Sequence, residues 1–77
     1  MTEQARVKKE LEAQLEKVKH RLQILDMIEE RLFQMRELAQ KVVDEDLTEE
    51  ELQKINQQVK YMEEQVRLLD SESTSLS

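Results

Sequence analysis

Glycine, proline, cysteine and tryptophan are all absent from these 77 residues, and aromatic side chains make up 3% of the chain. Glycine and proline supply most turns and helix stops, so a chain without them has few ways to interrupt a helix. The absence of cysteine excludes disulfides and thiolate chemistry and fits a reducing compartment. No stretch is long and apolar enough to span a bilayer, and Met1 to Arg6 carry no signal-peptide core, so a cytoplasmic address without a membrane partner is expected. Clustered positive charge is scarce as well. The net charge is −6, which argues against a phosphate-backbone reader, because that affinity comes from grouped Lys and Arg.

Helix-forming residues fill the space that these absences leave. Charged residues account for 39% of the chain and the apolar residues between them are periodic, a coiled-coil composition rather than a disordered one. The charge is uneven. Residues 1 to 21 hold six basic and four acidic residues, net +2, whereas residues 22 to 77 hold six basic and fourteen acidic, net −8.

The only strong interruption is Asp44-Glu45-Asp46-Leu47-Thr48. The expected fold is therefore all-α, an antiparallel helical hairpin: a long first helix over 3–43, a turn over 44–48 and a shorter second helix over 49–70, one domain over 1–70. Ser71 to Ser77 read as a disordered polar tail. Thr48 has Glu51 three residues later, the spacing of a capping box, and Leu47 and Leu52 stand where a hydrophobic staple needs them. Leu52, Ile55, Val59, Met62, Val66 and Leu69 then follow a three-four alternation.

In the first helix the main stripe repeats every seven residues as Leu11, Val18, Leu25, Leu32 and Ala39. Its companion column changes partway from Leu15 and Leu22 to Ile28, Met35 and Val42, with Ile24, Met27 and Leu38 widening the face. A broad apolar face suits a bundle core, and a narrow seam suits a two-stranded coil.

Helix length then points to a partner. At ~1.5 Å per residue the first helix is about 60 Å long and the second about 33 Å, so the second covers only residues 22 to 43. Val7, Leu11, Leu15 and Val18 are left bare, and apolar patches of that extent mark interfaces. A homo-oligomer is expected, a dimer with a four-helix-bundle core, its mildly basic arm lying along the acidic hairpin of a second copy. A heterologous protein partner is the other occupant, and a bend near His20 that folds the arm back as a third helix is the other geometry.

No residue pattern carries chemistry, so no enzyme, cofactor or metal is expected. His20 stands alone between Lys19 and Arg21 without a second ligand, and reads as solvent-exposed. Counted from Asp44, a calcium loop would need glycine sixth and glutamate twelfth, where the chain has Glu49 and Ile55. The basic residues of the arm alternate with Glu10, Glu12 and Glu16, as on a salt-bridged helix surface. Phe33 and Tyr61, the two aromatics, fall outside the apolar stripes; they either flank the hairpin seam together or form an exposed anchor for a partner. The candidate interface is thus Val7, Leu11, Leu15, Val18, Leu22, Phe33 and Tyr61.

Two family resemblances bear on these residues. Leu32-Phe33-Gln34-Met35-Arg36-Glu37-Leu38-Ala39, a polar joint and the apolar steps from Ile55 to Leu69 resemble the paired helices of the core domain of bacterial flagellin, over residues 25 to 70. The chain departs from flagellin in lacking an Asn-Gly turn and terminal polymerising helices and in its charged arm, so the resemblance implies a hairpin used in binding or export, not a filament subunit. Leu47-Thr48 at the start of the second helix is similar to small sporulation aspartyl-phosphate phosphatases. Their Ser-x-x-x-Asp motif is here Asn56-Gln57-Gln58-Val59-Lys60, so that resemblance implies binding of a response regulator without hydrolysis.

Overall fold

The computed structural model describes residues 2–75 and shows two helices, α1 (Glu3–Asp44) and α2 (Glu49–Ser75). They form an antiparallel hairpin: His20 lies beside Glu72 and Arg31 beside Gln65, while Gln34 and Leu38 line one groove with Gln58 and Met62. The molecule measures 68 × 18 × 11 Å, the length set by α1. Since α1 is a single unbroken helix, no bend at His20 folds the arm back as a third helix.

Each helix start is built by a threonine. Thr2 is extended (φ −73°, ψ 156°) and its hydroxyl accepts from the Ala5 N–H at 3.2 Å, a cap the sequence pattern had not singled out. The Thr48 hydroxyl accepts from the Glu51 N–H at 3.2 Å and donates to the Glu51 carboxylate at 3.1 Å, so the expected capping pair forms. Glu49, Glu50 and Glu51 lie in the first turn, where the helix dipole favours negative charge. Between the helices, Glu45 turns extended (φ −113°, ψ 147°) while its N–H still bonds the Lys41 carbonyl at 3.0 Å. No described residue has a positive φ, which explains how the turn closes without glycine.

The seam between the helices is not the stripe that the seven-residue repeat picks out. On α1 it comprises Ile24, which is 2% exposed, with Ile28, Arg31, Met35 and Leu38 partly buried; on α2 it comprises Ile55, Val59, Met62, Val66 and Leu69. Leu25 and Leu32, from the main column, are 45% and 50% exposed. The reason is angular. At about 100° per residue, Leu25 and Leu32 lie roughly a quarter-turn or more from the centre of the stripe that faces α2. Helix α1 therefore has two apolar faces, and the hairpin uses one.

The far end also differs from expectation. Helix α2 continues through Ser75 instead of fraying at Asp70, and Ser73 is 4% exposed in the same seam position as Leu69 and Val66. A small side chain there lets the last turns lie close to α1. Residues Leu76 and Ser77, the rest of the expected tail, lie outside the described residues.

Candidate interaction surface

The second apolar face of α1 starts on the arm that precedes His20. Val7, Leu11 and Leu15 form a shallow apolar patch bordered by Glu3, Gln4, Lys8 and Glu12. Val18 and Leu22 continue it at three- and four-residue steps, and Leu25 and Leu32 extend it alongside the hairpin. All of these side chains are exposed, Leu11 by 60%. Helix α2 ends beside His20, so it cannot reach the first three, and it lies on the wrong side of α1 to cover the others.

Charged pairs of the arm are local. Glu3 pairs with Arg6, and Glu16 with Lys19 at 3.7 Å, both between exposed side chains. Such pairs contribute about 0.3–0.5 kcal/mol each and yield readily to other partners. His20 Nε2 sits 3.3 Å from Glu72 Oε1, both half exposed, so the histidine is partnered with the end of α2. On the outer face of α2, Glu64 bonds Arg67 at 2.6 Å and pushes its guanidinium above the usual value, chiefly through that hydrogen bond.

The structure does not join the two aromatics. Phe33 and Tyr61 are both exposed, Tyr61 by 66%. Phe33 is about 180° round α1 from the residues that meet α2, so it points away from the hairpin seam. It stands instead next to the exposed face that carries Leu22, Leu25 and Leu32. Tyr61 belongs to the outer side of α2, one heptad before the exposed Leu68.

Chemistry is sparse here. Among the described residues no group of three or more His, Cys, Asp or Glu side chains is placed to hold a metal, and no helix is long and apolar enough to cross a membrane. No protein family, no curated protein and no solved structure matches the chain. What the structure presents is an exposed apolar stripe on one continuous helix.

Proposed function

We propose that this chain is a noncatalytic protein–protein interaction or adaptor module that works through coiled-coil self-association. The observation that carries this reading is the stripe Val7, Leu11, Leu15, Val18 and Leu22, exposed along one side of α1 while a different face of the same helix is spent on α2. Helices with two apolar faces are bundle helices, because each face needs a neighbour. Phe33 extends the stripe toward the hairpin, and Tyr61 is a separate anchor for a further protein partner. The acidic balance of residues 22 to 77 favours a protein partner over nucleic acid. A flagellum-related setting rests on the resemblance of residues 25 to 70 to flagellin core helices, and a cytoplasmic address on the lack of cysteine and of a stretch apolar enough to span a bilayer.

Light scattering over a concentration series, with helicity followed in parallel, tests self-association. The double substitution Leu11→Lys with Val18→Lys is expected to leave the hairpin helical and reduce the mass to that of a monomer. An unchanged oligomer mass would remove the stripe from the proposal.

A second reading, a catalytically inactive relative of the response-regulator phosphatases, draws on the Thr48-capped start of α2. Asn56 and Lys60 take the matching positions one turn apart on its exposed surface. With lysine in the place of the acidic group, the chain is expected to bind a response regulator without accelerating loss of its aspartyl phosphate. Dephosphorylation above the spontaneous rate would overturn this.

A further inference from the structure

We infer, building on the self-association reading, that two copies pair antiparallel through their α1 arms in one register, with Leu11 against the partner's Leu22 and Leu15 against the partner's Val18. Both contacts occur twice by two-fold symmetry.

The exposed face of α1 consists of two columns. One is Leu11, Val18, Leu25 and Leu32; the other is Leu15, Leu22, Glu29 and Arg36. Knobs of one column pack into holes beside the other, so antiparallel alignments that keep the seam in contact differ by whole heptads. Glu29 and Arg36 limit the choice, because an apolar layer is possible only between the arm and Leu25.

Flanking charges then select the register. In the alignment proposed, Glu12 meets the partner's Lys19, and Lys19 meets the partner's Glu12. Val7 lies at the edge of the paired face near the partner's Ile28, whose far side meets the partner's α2, and Lys8 lays its stem over the partner's Leu25 with its ammonium directed to the partner's Asp26. Lys19 is available for this exchange, since its contact with Glu16 is a local pair at 3.7 Å with both side chains more than half exposed. Sliding one heptad toward the hairpin turn sets Lys19 against Lys19, Arg21 against Arg21 and Glu12 against Asp26. Sliding the other way sets Glu12 against Glu12 and leaves Leu22 facing Gln4. A parallel, in-register pair stacks Lys8, Glu29 and Arg36 on their own copies inside the seam. Like charges in contact weaken association by amounts similar to the gain from opposite ones.

The consequence is a rod rather than a compact four-helix bundle. The two α1 helices overlap over about 28 residues, or roughly 42 Å, and each α2 lies on the other face of its own α1. The two α2 helices are therefore offset toward opposite ends, and residues 3 to 11 of each arm run beside residues 22 to 30 of the other copy, the stretch that holds Asp26, Glu29 and Glu30.

The chain has no cysteine, so introduced thiols report the register without interference. Mixing a Leu11→Cys chain with a Leu22→Cys chain under mild oxidation is expected to give the mixed disulfide, with little homodisulfide from either chain alone. In parallel, Glu12→Lys and Lys19→Glu singly should each raise the dimer dissociation constant about tenfold at low salt, and their combination should restore it to within about threefold of the parent. Homodisulfides from the single variants, or a dimer that gives no mixed disulfide and no charge rescue, would overturn the register while leaving self-association standing. A monomer at every concentration by light scattering would overturn self-association and this register together.

Discussion

Arg31 Nε donates to Gln65 Oε1 at 2.9 Å across the hairpin, from a side chain only 27% exposed in the middle of a mostly apolar seam. Each side chain sits where a hydrophobe would be the simpler choice, and the bond forms only in one alignment of the two helices. Slipping α2 by one turn would part Arg31 from Gln65 and leave its partly buried guanidinium only the Glu30 carboxylate at 3.9 Å on the same helix. Gln65→Ala is therefore expected to destabilise the hairpin by about 1 kcal/mol. Urea titrations of both single variants and the double should show coupling between Arg31 and Gln65; additive losses would mean the bond does not pin the register.

Ile24 and Leu25 are sequence neighbours on different faces of α1. Ile24→Ala removes the most buried apolar side chain described and is expected to cost about 2–4 kcal/mol of hairpin stability. Leu25→Ala should cost the isolated hairpin well under 1 kcal/mol yet weaken association. Melting curves at dilute and concentrated protein separate the two effects, and equal losses at dilute concentration would contradict the assignment of faces.

Thr48 both accepts from and donates to Glu51, and α2 begins there. Thr48→Ala should lower stability by about 1 kcal/mol, with Thr48→Ser close to the parent. Hydrogen exchange at the Glu51 amide is the direct reading. Faster exchange confined to the first turn of α2 is the expected result.

Ser73 closes the seam at the end of α2, one residue from the Glu72 that meets His20. Ser73→Glu should fray the last turns of α2, since a charge at this site is buried without a partner. Amide exchange over residues 70 to 75 should rise, and Ile24 should become accessible. Unchanged protection would mean that these turns do not depend on the seam.

Much of this architecture is legible in the sequence because it is local. A chain without glycine or proline, interrupted once by a polar joint and restarted by Thr48 and Glu51, forms two helices of unequal length, and caps and helix propensity act within a few residues. The alternation from Ile55 to Leu69 also identifies the face α2 buries, since that helix has one coherent apolar stripe. For the same reason the bare arm was foreseeable: it follows from two lengths and a turn.

What only the tertiary structure decided is which face of α1 meets α2. Two apolar columns run along α1, and periodicity within one helix ranks them by regularity, not by the neighbour each will have. The more regular column, with Leu25 and Leu32, stays exposed, while the side of α1 turned to α2 includes the partly buried Arg31 and Gln34, which no hydropathy pattern selects. Their place is fixed by the path from Glu45 to Thr48 and by contacts such as Arg31 with Gln65, which join residues far apart in the chain. Ser73 illustrates the same limit, because a small polar residue reads as tail until a second helix lies close enough to bury it.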